Sequence, residues 1–187
     1  MTPWVMATSS TGKVRELAHL LAPLGLDLQP QSVFGVQSCE EPFQSFLENA
    51  LVKARHASAQ TGLPALADDS GLMVDALNHR PGVRTSDHDW AWLLEAMQGV
   101  PESGRAAQFV CVLVAVRSAE DPLPIVAQGL WRGTIAMAPR GESGFGYDPV
   151  FVDTDSGRAA AEMSLEQKSA LSHRGRAARD LCLRWPR

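Results

Sequence analysis

Lysine is nearly absent from this chain: three residues, Lys13, Lys53 and Lys168, stand against 14 arginines. An arginine-biased coding composition accounts for the ratio in general. It also marks the three exceptions as places where a compact point charge suits better than a planar fork. Tyrosine occurs once, at Tyr147. Cysteine is sparse and scattered, at Cys39, Cys111 and Cys182, with no C-x-x-C spacing. That pattern excludes a zinc knuckle or a disulfide framework and fits inert thiols in a reducing compartment. No apolar run approaches a membrane span, and the N-terminus lacks a basic start followed by a long apolar stretch. No membrane association is therefore expected, and the expected location is the cytoplasm. No basic block appears before Arg174 to Arg179, and the net charge is −4. A duplex-binding protein normally carries a basic face, so no nucleic-acid partner is expected. A small anionic ligand needs only a few well-placed cations.

What is present is an ordinary globular composition, 45% hydrophobic over 187 residues, enough for one sizeable core or two lobes. Trp4 to Thr8 reads as a strand, and Val14, Leu17, Ala18 and Leu21 then recur at helical spacing until Pro23 and Gly25. Leu26 to Leu28 reads as a second strand. Phe43, Phe46, Leu47, Ala50, Leu51 and Ala54 share one face of a second helix, with Glu40, Glu41 and Pro42 at its start. Asn49, Lys53, His56 and Gln60 form a polar stripe beside it. Pro64 to Ala67 reads as a strand that ends at Asp68-Asp69-Ser70-Gly71, and Leu72 to Val74 resumes it. Trp90 to Met97 reads as a short helix. Ala106 to Val116 and Pro124 to Leu130 are β-rich and joined by Glu120-Asp121-Pro122, which predicts a hairpin. Gly141 to Tyr147 reads as a glycine-rich loop. Met163 to Ser172 and Arg176 to Leu183 read as helices with His173-Arg174-Gly175 as their junction. Mixed helices and strands without repeats or linkers indicate an α/β protein.

Four stretches carry chemistry. Thr8-Ser9-Ser10-Thr11-Gly12-Lys13 joins a strand to a helix, where outward amides, hydroxyls and an ammonium favour an anion. An ordinary polar helix cap has the same look, and the loop is not a Walker A motif. Glu40, Glu41, Asp68 and Asp69 form an acidic group. Adjacent carboxylates repel unless a cation joins them, and magnesium commonly bridges one or two carboxylates to phosphates. A solvated turn explains the pair on spacing alone equally well. Ser143-Gly144-Phe145-Gly146-Tyr147-Asp148-Pro149 places a ring between glycines, suited either to stacking on a base or to a tight turn. Lys168, one helical turn before Ser172-His173-Arg174-Gly175, offers donors to a keto group or simply complements a helix end.

In this order, ATSSTGKVREL, Phe46-Leu47-Glu48-Asn49-Ala50 with Lys53-Ala54-Arg55, ADDSGL, PGV, GFGYDPVF and EQKSALSHRGRA resemble the inosine triphosphate pyrophosphatase family over nearly the whole chain. The resemblance implies a single domain over residues 1–187. Its fold would be an elongated, two-lobed α/β structure, with a central mixed β-sheet flanked by helices and a cleft between the lobes. It implies hydrolysis of a non-standard purine nucleoside triphosphate, such as dITP or XTP, to the monophosphate and pyrophosphate, with Mg²⁺ and usually as a homodimer. By position, Thr8, Ser10 and Lys13 match the phosphate loop, and Lys53 a further phosphate contact. Glu41 and Asp69 match the metal carboxylates, with Asp69 the base for water. Ser70 adjoins them, and Asp68 is a supporting neighbour. Phe145 matches the stacking ring, and Asp148, Lys168, His173 and Arg174 match the base-reading set. Two departures stand out. Ser10 replaces the usual asparagine, with fewer donors. After Val83 the chain is also about ten residues short, a loop-scale change in the substrate wall and dimer contact. They leave two alternatives: a nucleotide-binding homologue with weak or altered catalysis, or a pyrophosphatase for a different modified nucleotide.

Overall fold

A computed structural model describes residues 2–186. Five α-helices and seven strands alternate through it. A seven-stranded sheet runs in the order β2-β1-β3-β5-β6-β7, with β4 paired to β3. β1 (Trp4–Met6) lies parallel to both β2 (Leu28–Pro30) and β3 (Ala65–Val74). β4 (Pro81–Gly82) is antiparallel to β3. β5 (Ala106–Val116) and β6 (Ile125–Ile135) follow, and β7 (Phe151–Asp153) is antiparallel to β6. The sheet is mixed and helices flank it, as the α/β reading predicts. No described helix is long and apolar enough to cross a membrane.

The chain divides into two compact units. The first comprises residues 1–69, 111–129 and 174–187. Its core gathers Met6, Leu17, Leu21, Leu66, Cys111, Leu113, Ala177 and Leu181. Leu17 and Leu21 arrive from α1 (Thr11–Leu20) and the residue that caps it. Ala177 and Leu181 recur one turn apart on α5 (His173–Arg184). The hairpin between β5 and β6 is closed by Asp121, whose carboxylate accepts from the Arg117 amide (2.9 Å), the Arg117 guanidinium (2.6 and 2.8 Å) and the Leu123 amide (3.0 Å). These donors hold the Asp121 carboxyl well below its ordinary range.

The second unit comprises residues 70–110 and 130–173. Leu72, Val74, Leu93, Met97, Phe109, Trp131, Phe151 and Met163 form its core, with Trp90 and Trp92 of α3 (Trp90–Ala96) packed against it. Trp131 is fully buried, and its indole N–H donates to Asp153 at 2.7 Å. Arg105 is a buried cation that donates to main-chain carbonyls: Ile135 at 2.7 Å, Met97 and Ala136 at 3.0 Å, and Val100 at 3.3 Å. It joins the end of α3 to the end of β6.

The structure revises several boundaries. α2 spans Phe46–Thr61, later than the Glu40-Glu41-Pro42 start. Ser45 is its cap, its hydroxyl accepting from the Glu48 amide at 3.2 Å. A side chain that satisfies an orphan amide outweighs acidic composition as a start signal. Phe43 and Leu47 are exposed, and the buried face is Asn49, Ala50, Ala54, Ala57 and Ser58. Asn49, on the polar stripe, is buried: it donates to the Phe43 carbonyl (3.2 Å) and accepts from the Phe43 amide (3.1 Å). β3 is one continuous strand, so Asp68 and Asp69 do not follow a strand but lie within it. β6 extends five residues beyond Leu130. His173-Arg174-Gly175 opens α5 instead of separating two helices, because α4 (Leu165–Leu171) ends at Ser172.

Replacing Arg105 with Met removes the guanidinium donor from four carbonyls and is expected to lower stability by about 2–4 kcal/mol in urea denaturation. Arg105→Lys recovers only part of this, because one ammonium cannot reach the span of a fork.

Candidate functional site

The first unit collects a chain of charges around α1, α2 and β3. β-strands send consecutive side chains to opposite faces, so Asp68 and Asp69 acquire different partners. Lys13 Nζ is 3.1 Å from Asp68 Oδ1, and Arg174 Nε is 3.6 Å from Asp68 Oδ2. Arg174 Nη1 also donates to Glu16 Oε2 at 3.2 Å. Glu16, Asp68 and Arg174 are all buried. Arg174, expected to read a base, is therefore tied into the charge chain of the first unit. Glu16 escaped the sequence reading. Its only signal was its place three residues after Lys13, on the turn that buries Leu17.

Asp69 meets Lys53, whose Nζ lies 2.9 Å from both Asp69 Oδ1 and Glu41 Oε2. Burial alone would depress the Lys53 ammonium, but Asp69, Asp68 and Glu41 outweigh it and raise its pKa. Burial raises the Asp69 carboxyl to about 6, against the opposing pull of Lys53 and with a further push from Glu41. Its second oxygen, Oδ2, is buried and has no hydrogen-bond partner among the described residues. A buried, unmatched carboxylate oxygen is costly and suits a cation. Among the described residues, no group of three or more His, Cys, Asp or Glu side chains is arranged to hold a metal unaided. Magnesium needs no such cage: one or two carboxylates suffice when water and phosphate supply the rest. Asp69 and the more exposed Glu41 fit that donor set.

The loop before α1 caps the helix with polar side chains. Ser10 is the helix cap, its hydroxyl facing the Lys13 amide at 3.5 Å, and Thr8 Oγ1 accepts from the Ser10 amide at 3.2 Å. A groove of about 500 Å³ opens beside it, lined by Thr8, Ser9, Thr11, Arg15 and Gln31. Hydroxyls and the N-terminus of a helix beside such a groove suit a phosphate chain.

The second unit assembles a different set around Asp148. Its Oδ2 accepts from Lys168 Nζ at 2.6 Å and from the Phe145 amide at 2.8 Å. Lys168 Nζ also stands 4.9 Å from the centre of the Phe145 ring. Asp148 and Lys168 are buried, while Phe145 is 43% exposed. Gly144 is required here: its φ is +82°, and a Cβ would fall 2.1 Å from Asp148 Oδ2. His173 is buried in the core of this unit, its ring stacked on Phe109 with centroids 4.6 Å apart. Tyr147 donates to the Thr85 carbonyl at 3.2 Å, and the Leu72 amide donates to the Thr85 hydroxyl at 2.9 Å, which anchors the short segment after Val83. Ser70 follows Asp69 on β3 and begins the unit. All three lysines thus face carboxylates in these two sets.

The fold and these groups define an α/β protein with one set suited to a cation and phosphates and another to a flat, polar-edged ring. Comparison with known proteins agrees with that class. The chain belongs to the Ham1 family, whose profile matches residues 4–183. It is 53% identical to a dITP/XTP pyrophosphatase of Yersinia pseudotuberculosis and 50% identical to that of Escherichia coli K12, over 92% of each chain. Among solved structures, a HAM1 protein from Coxiella burnetii is 43% identical with a TM-score of 0.89, covering 98% of both chains. A nucleoside-triphosphatase / dITP/XTP pyrophosphatase from Mycobacterium abscessus is 36% identical with a TM-score of 0.72, over 90% of this chain and 92% of its own.

Asp148→Ala strands a buried ammonium and is expected to cost about 3–5 kcal/mol. The double variant Asp148→Ala/Lys168→Met should be more stable than Asp148→Ala alone. Urea denaturation of both, with the Lys168→Met single variant, closes the cycle.

Proposed function

We propose that this protein hydrolyses non-standard purine nucleoside triphosphates, dITP and XTP among them, to the monophosphate and pyrophosphate, guarding the cytoplasmic nucleotide pool. The observation that carries the reading is the buried Asp69 carboxylate, with one oxygen on Lys53 and the other unmatched, next to Asp68, which meets Lys13 in the first turn of α1. Similarity over most of the chain to proteins named dITP/XTP pyrophosphatase supports the same substrate class.

In this reading the first unit handles the triphosphate. Thr8, Ser10 and the α1 amides donate to phosphate oxygens, and Lys13 and Lys53 neutralise their charge. Phosphoryl transfer needs positioning and charge compensation more than covalent help. Asp69 and Glu41 would hold Mg²⁺, which supplies Lewis-acid polarisation of the phosphates. The raised pKa of Asp69 suits a base that accepts the proton of the attacking water. Asp68 does not join them: it holds Lys13 and Arg174 in place.

The second unit handles the base. Phe145 offers a stacking face. Asp148 accepts the N1–H that hypoxanthine and xanthine carry and adenine lacks, while Lys168 donates to O6. With adenine the same site sets acceptor against acceptor at N1 and donor against the 6-amino group, a mismatch that discriminates by orders of magnitude. His173 acts by packing against Phe109 in the second unit, and Arg174 as an ion-pair brace in the first. Ser70 links the catalytic carboxylate to this unit along β3. Assembly as a homodimer belongs to the same reading.

Pyrophosphate release from dITP, XTP, dGTP and ATP with Mg²⁺ tests it, with dITP and XTP expected to lead. Equal rates on ATP would overturn the specificity. Asp69→Asn should lower kcat by about 10²–10⁴ with little change in melting temperature. Mg²⁺ should raise the melting temperature of the wild type but not of Asp69→Asn.

A further inference from the structure

The base set is carried by two segments of the second unit: the loop with Phe145 and Asp148, and α4 with Lys168. A short turn, residues 159–162, lies against both. The Ser143 amide donates to the Ala161 carbonyl at 3.1 Å, and the Ala161 amide donates to the Asp148 carbonyl at 3.1 Å. At Gly141, with φ of +80°, a Cβ would sit 2.5 Å from the Ala161 carbonyl, so loop and turn touch backbone to backbone.

One carboxylate closes this arrangement. Glu162 accepts from the Ala159 amide at 2.7 Å, which caps the turn. It also takes the Arg140 guanidinium in a fork, Nη2 to Oε2 at 3.0 Å and Nε to Oε1 at 3.4 Å. Arg140 begins the loop: its amide donates to the Pro149 carbonyl at 2.8 Å, and its Nη2 to the Gly157 carbonyl at 3.3 Å. On the other side, Arg158 donates to the Glu162 carbonyl and, at 3.2 Å, to the Gln167 side chain, next to Lys168. The Ala159 amide, with Arg140, holds the Glu162 carboxyl below its usual value and keeps it ionised. Neither the catalytic nor the binding roles above use this clamp.

We propose that Glu162 is a positioning residue for base recognition: by holding Arg140 and the Ala159 amide together, it fixes Phe145 and Asp148 against the helix that presents Lys168. The inference rests on the functional reading above. Arg140 is 45% exposed and Glu162 30%, and such solvent-exposed pairs contribute little to global stability. Their value lies in geometry, because small misplacements of contact groups are expensive in binding.

The test separates the two ends of the nucleotide. Glu162→Ala should raise KM for dITP about tenfold, with kcat changed less than about twofold, and raise the Kd of dIMP in parallel. Calorimetric binding of inorganic triphosphate should be unchanged, and the melting temperature should fall by no more than a few degrees, as for one lost turn cap. Arg140→Ala should show a smaller KM rise that Arg140→Lys largely reverses. Should Glu162→Ala fail to fold, Glu162→Gln is read in the same way, since it keeps an acceptor for Ala159 and loses the ionic clamp. Unchanged dIMP affinity in a folded variant overturns the proposal, as does an equal loss of dIMP and triphosphate binding, which marks a general structural defect. A wild-type protein that binds no dIMP overturns the functional reading and this proposal with it.

Discussion

Asp68 and Asp69 are consecutive residues in one strand, and the alternation of a strand sends them to opposite faces. The chemistry of the first unit follows from that. One carboxylate turns to Lys13 and Arg174 and becomes part of a buried ion chain ending at Glu16. The other turns to Lys53 and Glu41 and keeps one oxygen unmatched. Two adjacent acids in a turn would share one environment and one solvent. In a buried strand each must find its own cation, because a charge without a partner in a low-dielectric interior is prohibitive. The same residue pair thus yields a brace and a reactive group.

The second unit repeats the principle with a single acid. Asp148 serves a lysine and a backbone amide from one oxygen, so the stacking ring and the ammonium are placed by a shared contact. Preorganised groups of this kind lose little freedom when a ligand arrives. Glu162 extends the scheme outward, where its pair with Arg140 is too exposed to matter much for stability but still sets the position of a loop. Each of the three lysines meets an aspartate in this scheme. Their persistence in an arginine-rich chain has a physical basis: a point charge fits between carboxylates where a fork is too broad.

Much of this was legible in the residues. The helix of Lys53 and the long β5–β6 hairpin follow from periodicity, and Asp121 closes the hairpin where the acidic turn was read. Other features were not. The cap at Ser45 overrode the acidic and proline signals upstream, because one satisfied amide outweighs a compositional tendency. Asp68-Asp69-Ser70-Gly71 has the composition of a turn, yet it pairs as a strand because tertiary partners stabilise its charges. Asn49 and Arg105 look like surface residues and are buried, each satisfying main-chain groups distant in sequence. No local pattern announces such bonds.

By itself the sequence determined the α/β class, the membership of the charged and aromatic groups that carry the chemistry, and their order along the chain. These depend on local propensity and on which side chains exist at all. Only the tertiary structure decided which acid meets which cation. It separated Asp68 from Asp69, drew Arg174 to Glu16, placed His173 among aromatic rings and made Glu162 a clamp. Those choices depend on long-range burial, where the energy of a charge is set by neighbours that are remote in sequence.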